Sequence, residues 1–111
     1  MSILFQGKVA NGATLYVEVP IRDGALGADV GWLDATSSAT ITLELTSFDT
    51  ATPTTAGSAW EWKDSGLTFT GPAASAAGSL QINVENVRQK KARIKIVAAA
   101  ASTFDIRDGT G

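Results

Sequence analysis

The chain has 111 residues, the length of one domain of common size, and its hydrophobic fraction of 44% is typical of a folded globular protein. Its net charge is −2 at neutral pH and its pI is about 4.9, so overall charge does not favour nucleic-acid binding. It contains neither cysteine nor histidine, which excludes disulfides, thiolate metal sites and catalysis that depends on an imidazole base.

No apolar stretch reaches the roughly 18 residues that a membrane-spanning helix needs, so we expect no contact with a membrane. The N-terminus lacks the basic start and long apolar run of a signal peptide. Because disulfides are also absent, the sequence favours synthesis in a cytoplasm.

Alternation of apolar and polar residues dominates the chain and predicts half-buried β-strands, each with one polar face. Six segments show this alternation clearly; in chain order they are 15–19, 40–46, 67–70, 80–85, 92–96 and 104–107. Two further segments, 2–9 and 60–63, are strand-like and raise the expected number of strands to seven or eight.

Turn-forming residues separate these segments at intervals of roughly 8–12 residues. Asn11-Gly12 and the triplet 64–66 are each predicted to close a hairpin, because Asn, Asp and Gly tolerate the φ angles of tight turns. Long loops are expected at 22–36, 49–58 and 71–78, where Ala, Thr, Gly and Pro are frequent.

The pattern therefore predicts one all-β domain over residues 1–111, a two-layer antiparallel β-sandwich or jelly roll of seven to eight short strands. The expected core consists of the apolar residues that alternate inward: Leu15, Val17, Ile41, Leu43, Leu45, Leu67, Phe69, Ile82, Val84, Ile94, Ile96, Phe104 and Ile106. The end segments 2–9 and 103–107 are expected to extend the sheet of a neighbouring molecule by strand addition.

Candidate catalytic and metal-binding groups are few. Serine and threonine are abundant, but no base accompanies them in a known arrangement. Asp23 and Asp29 offer oxygen ligands for calcium, yet their spacing differs from that of an EF-hand loop, and a structural turn is the favoured interpretation. We therefore predict a protein without enzymatic activity, cofactor or bound metal.

The most distinctive local feature is Trp60-Glu61-Trp62. At strand spacing both indole rings project to one face. If that face points inward, the two rings are core anchors, which is the favoured interpretation; if it points outward, they form a platform for sugar rings. Trp32 lies in the predicted loop and, with Leu33, is the better candidate for an exposed contact with a partner.

Arg88, Lys90, Lys91, Arg93 and Lys95 form the one cluster of like charges in the sequence. The favoured interpretation is a solvated sheet face whose lysines protect a strand edge against aggregation. The alternative is a stripe that docks on an acidic partner surface, with the first three of these side chains as contacts.

The segment 80–97, the Ala-rich residues after it and the segment 102–111 together resemble the ending of small tailed-phage virion proteins. Those proteins share a late strand of alternating basic and apolar residues, a short turn of small residues, and a final strand. The Ala/Thr/Gly-rich composition without Cys or His also resembles phage capsid decoration and cement proteins.

The resemblance implies a non-enzymatic structural protein of a virion, made in the host cytoplasm, that stabilises a phage head by protein–protein contacts. Its expected partners are further copies of itself, as a dimer or trimer, and the capsid lattice. The alternative is a carbohydrate-binding or host-attachment module that uses Trp60, Trp62 or Trp32. The direction in which Trp60 and Trp62 point distinguishes these two functions.

Overall fold

The computed structural model describes residues 2–33, 39–70 and 78–109. These residues form eight antiparallel β-strands, which confirms the predicted all-β fold class: β1 (Ile3–Val9), β2 (Thr14–Val19), β3 (Leu26–Trp32), β4 (Ala39–Thr46), β5 (Lys63–Thr70), β6 (Gly78–Val84), β7 (Lys91–Ala98) and β8 (Ser102–Asp108). The described ranges contain no helix of the length and apolar character that crossing a membrane requires.

The strands form two four-stranded sheets, with the orders β1-β8-β3-β6 and β2-β7-β4-β5. Strand β1 pairs with β8, β2 with β7, β3 with β6 and β4 with β5, which is the arrangement produced when one long antiparallel hairpin of strands rolls up. This is the strand order of a jelly roll. Among the eight described strands, β4 and β5 alone are consecutive strands of one sheet, and each of the other successive pairs belongs to two different sheets.

The core lies between the two sheets, where the register brings apolar residues together. Ile94 of β7 lies between Val17 of β2 and Leu43 of β4, and all three are buried. Eight of the predicted core residues are buried: Val17, Ile41, Leu43, Ile82, Ile94, Ile96, Phe104 and Ile106. Four others pack against this cluster while remaining partly exposed: Leu15, Leu45, Phe69 and Val84.

The prediction was wrong for Leu67, whose side chain is 37% exposed. Strand β5 carries a bulge in which residues 65–67 lie opposite Leu43 alone, and Gly66 adopts a φ of 89°. The bulge turns Leu67 away from the core. The turn-forming residues 64–66 thus belong to this irregularity within one strand, and the predicted hairpin at this point is also wrong.

The turn at Asn11-Gly12 exists, but it is not a hairpin. The amide of Ala13 donates to the carbonyl of Ala10 at 3.0 Å, and Gly12 has a φ of 78°. The strands on its two sides belong to different sheets, since β1 pairs with β8 and β2 with β7. The local turn signal was therefore correct, and the pairing inferred from it was not.

The predicted loop 22–36 contains a strand, β3, in the interior of its sheet. Asp23 and Gly24, with φ angles of 53° and 73°, form a tight turn that is closed by two backbone hydrogen bonds between Arg22 and Ala25. Of the other predicted loops, 49–58 lies within the connection between β4 and β5, and 71–78 lies outside the described residues except for its last position.

The two end segments pair with each other within the chain, as strands β1 and β8. Strand β8 lies between β1 and β3, so both of its edges are occupied within the chain. The amide of Asp108 also donates to the carbonyl of Ser2 at 2.8 Å. The expected strand addition by the C-terminal segment is therefore wrong, and only β1 retains a free edge at that side of the sheet.

Candidate functional site

The long connection 47–62 between β4 and β5 is held against the outer face of its sheet by one buried cation, Arg93 of β7. Its guanidinium Nε donates to Oε1 of Glu44 at 2.8 Å. Its two terminal nitrogens donate to the backbone carbonyls of Pro53, Thr55 and Ala56. Arg93 is only 2% exposed, so the connection covers it almost completely.

Aromatic rings complete the environment of Arg93. Its Cζ atom lies 4.2 Å from the ring centroid of Tyr16 and 4.1 Å from that of Trp62, within the range of cation–π contacts. Lys91 holds the same connection through a 2.9 Å hydrogen bond from Nζ to the carbonyl of Ala51. Strand β7 is an interior strand, so the interpretation of these basic side chains as protection of a strand edge is wrong.

Trp60 and Trp62 do not share a face, because Trp60 lies in a turn and β5 begins only at Lys63, after both tryptophans, so the predicted strand 60–63 is not formed. Glu61 closes this turn: its amide donates to the carbonyl of Ser58 at 3.0 Å, and its carboxylate accepts from the amide of Ser58 at 2.7 Å. Trp62 is buried, whereas Trp60 is 58% exposed. The favoured interpretation of two core anchors is therefore wrong for Trp60, and the alternative, a platform of two exposed tryptophans, is wrong for Trp62.

The aromatic partner of Trp60 is Phe48, at the other end of the same connection. The two ring centroids are 5.0 Å apart and the ring planes make an angle of 86°, which is a favourable edge-to-face contact. Phe48 is 45% exposed, so the pair presents a continuous apolar surface to solvent. Two aromatic residues far apart in the sequence thus form one surface feature.

Phe48 lines a cleft of about 410 Å³ at the end of β4 and the beginning of β5. Its lining residues are Leu45, Ser47, Phe48, Lys63, Asp64, Ser65 and Gln89. We call it the Phe48–Trp60 cleft after its one aromatic lining residue, Phe48, and the Trp60 ring that packs on Phe48 beside the lining. The carboxylate of Asp64 is oriented by the amide of Gly66, which donates to its Oδ1 at 2.7 Å. The cleft therefore combines an aromatic wall with an amine, a carboxylate, an amide and two hydroxyls.

The outer face of the opposite sheet carries a smaller polar group of residues. Arg107 donates to both carboxylate oxygens of Asp105, at 3.0 and 3.1 Å, and Gln6 donates to one of them at 3.2 Å. The hydrogen bonds from Arg107 hold the pKa of Asp105 below its usual value, and the same contact raises the pKa of Arg107. The charges of Asp105 and Arg107 compensate each other.

The carboxylates considered as calcium ligands are separated in the structure. Asp23 is part of the tight turn before β3, whereas Asp29 lies on that strand, in register with Arg107 of β8. The buried carboxylate of Asp108 is paired with Arg22. Within residues 2–33, 39–70 and 78–109, no three carboxylates lie close enough together to hold a metal ion.

Trp32, predicted as an exposed partner contact, is buried at the end of β3 with an exposed fraction of 7%. The predicted loop is strand β3 at this position, and the alternation of that strand points Trp32 inward. A Cβ atom added to Gly78 would lie 2.8 Å from the indole Nε1 of Trp32, so the absence of a side chain there makes room for the ring. Leu33, the next residue, is 65% exposed.

The other candidate contacts lie at the opposite end of the molecule from Leu33. Arg88 and Lys90 are exposed in the connection between β6 and β7, which is bonded through Val87 to Gly24, just before β3 begins. Leu33 follows the end of that same strand. Lys91 is partly buried and bonded to the connection 47–62. The predicted contact residues therefore do not form one surface.

Comparison with models of protein families gives no match, and a search among curated proteins finds none that is significantly similar in sequence.

Proposed function

We propose that the chain is a non-enzymatic structural protein of a tailed-phage virion, which decorates the head through protein–protein contacts and associates with itself. The sequence resemblance supports the role in a virion, and the free edge of strand β6 supports the self-association. Jelly rolls form capsid domains, lectin domains and cupins, so the fold is compatible with this role without assigning it.

Strand β6 is the feature that carries the proposal. Its seven residues pair with β3 without any register shift, and in the described part of the chain β3 is its only neighbour. Exposed strand edges normally carry charges, bulges or prolines, which prevent pairing with other chains. Among the edge strands β1, β2, β5 and β6, only β6 contains no charged residue.

The side chains of β6 suit pairing with a second copy. In an antiparallel arrangement centred on Gln81, that residue faces its own copy and Ser79 faces Asn83. These are exposed, uncharged side chains that can exchange hydrogen bonds across the seam. A two-fold axis at this point joins two four-stranded sheets into one of eight strands and covers the free edge of β6 in both copies.

Pairing through β6 is tested by placing a charge at the contact between the two copies of this strand. Gln81→Lys puts like charges directly opposite each other, so we expect wild-type dimers and variant monomers in sedimentation experiments at micromolar concentration. Thr68→Lys, which adds the same charge to the edge strand of the other sheet, is the matched control and leaves the dimer intact. A monomeric wild-type protein, or a dimeric Gln81 variant, contradicts pairing through β6.

The decoration role is tested separately. Purified chain is added to heads of the phage that carries its gene, and the copies bound per head are counted by quantitative gel and by cryo-electron microscopy. Saturable binding in a regular array is the expected result. Absence of binding to heads and to complete virions refutes the proposed role, whatever the oligomeric state.

A further inference from the structure

We infer that the Phe48–Trp60 cleft and the exposed Trp60 ring at its margin together form a saccharide-binding site, which takes one ring of a neutral glycan. This inference is independent of the proposed self-association, because it rests on a surface other than the edge of β6. Three observations carry it: the exposed aromatic pair, the unengaged polar side chains beside it, and the rigid attachment of the connection that bears both rings.

The aromatic pair provides the apolar contact. Sugar rings carry patches of C–H groups, and the electron-rich face of an aromatic ring attracts such groups. The edge-to-face contact between Phe48 and Trp60 holds the indole in place while more than half of Trp60 remains exposed. Burial of this exposed aromatic area against a sugar ring is favourable.

The polar lining provides the hydrogen bonds that a sugar needs. Five of the seven lining residues are polar. In the described part of the chain, Lys63 and Gln89 make no side-chain hydrogen bond, and Asp64 is oriented by the amide of Gly66. An amine donates, a carboxylate accepts and an amide does both, which matches vicinal hydroxyl groups that each donate and accept.

The charges indicate which class of glycan fits. Lys63 and Asp64 are adjacent and of opposite sign, so the cleft has no net charge that selects an anionic sugar. An apolar side chain of a partner protein is the competing occupant, but it would leave the amine, carboxylate and amide without partners once water is excluded. The lining therefore favours a neutral glycan.

The connection 47–62 presents both rings on a rigid base. Its middle is bonded to Arg93 through the carbonyls of residues 53, 55 and 56, and its two ends carry Phe48 and Trp60. Because these bonds order the connection before any ligand arrives, binding has little ordering cost to overcome. Arg93 is thus a positioning residue for the cleft.

The probes are an array of defined glycans and, in solution, di- and tetrasaccharides of glucose, galactose, mannose and N-acetylglucosamine followed by tryptophan fluorescence and calorimetry. Binding of at least one neutral glycan at millimolar concentration or better is expected. Trp60→Ala should weaken it about tenfold or more, and Trp60→Phe should restore most of the affinity. Leu33→Ala, an exposed apolar side chain remote from the cleft, is the control.

Lys63→Ala and Gln89→Ala should each weaken binding several-fold, with thermal melts that match the wild type. No binding of any neutral glycan at millimolar concentration overturns the inference, and so does binding that survives Trp60→Ala. If Trp60→Ala abolishes attachment to phage heads while no glycan binds, the cleft is a protein contact and the saccharide assignment is wrong.

Discussion

Replacement of Arg93 by alanine removes four hydrogen bonds, one of which is also the ion pair with Glu44, and two ring contacts at a single buried position. It leaves the carboxylate of Glu44, whose side chain is 13% exposed, without its cation. Breaking a buried ion pair from one side costs about 3–5 kcal/mol, because a charge remains buried without compensation. For a domain of this size, such a loss lowers the melting temperature by about 10 °C or more.

Urea unfolding followed by tryptophan fluorescence measures this loss, and limited proteolysis of the connection 47–62 reports where it acts. Arg93→Lys keeps the charge, but a lysine cannot reach Glu44 and three carbonyls at once. We therefore expect this variant to retain about half of the unfolding free energy that Arg93→Ala loses. Arg88→Ala removes an exposed arginine and should change stability by less than about 0.5 kcal/mol. A loss below about 1 kcal/mol for Arg93→Ala would refute its role in holding the connection.

Two further predictions follow from the core and from the polar surface. Leu43→Ala should cost about 2–5 kcal/mol and Leu67→Ala less than about 1 kcal/mol in urea unfolding, since Leu43 is fully buried and the bulge exposes Leu67; equal losses would contradict the assigned faces. Because Arg107 lowers the pKa of Asp105, this carboxylate stabilises the fold above its unfolded pKa, and the contribution disappears as the pH falls through the lower, folded value. The Asp105→Asn variant should therefore have a lower free energy of unfolding than wild type at neutral pH and the same free energy of unfolding in strong acid. A difference in stability that persists in strong acid would contradict this assignment.

Local patterns predicted most of the fold because the core residues alternate along their strands. Ile94 and Ile96 illustrate this, since each lies in an unbroken run of alternation and is fully buried. Strand β3 was not predicted, because Gly27 and Gly31 interrupt the alternation of apolar and polar residues, although both lie within the strand. The jelly-roll order was not accessible to local reasoning, because it depends on which distant strands pair.

The candidate site was less predictable, because its parts come from distant segments. Arg93 occupies a polar position of an alternating strand, and only the folding of residues 53–56 onto it makes it buried. The pairing of Phe48 with Trp60 likewise needs the path of the whole connection. One signal was present in the sequence: Ser58 and Glu61 have the spacing of a capping box, which indicates a turn and argues against a strand through Trp60.

The burial of Arg93 connects the stability of the fold with the geometry of the proposed site. A guanidinium is costly to remove from water, and a tightly packed apolar residue would often stabilise a domain equally well. An apolar residue could not bond to three carbonyls of an irregular segment, whereas the planar fork of arginine reaches them together. The cation orders the middle of the connection, and its ends can then meet as the Phe48–Trp60 pair. Loss of Arg93 should for this reason lower the affinity of the cleft for a saccharide even under conditions in which the jelly roll itself stays folded.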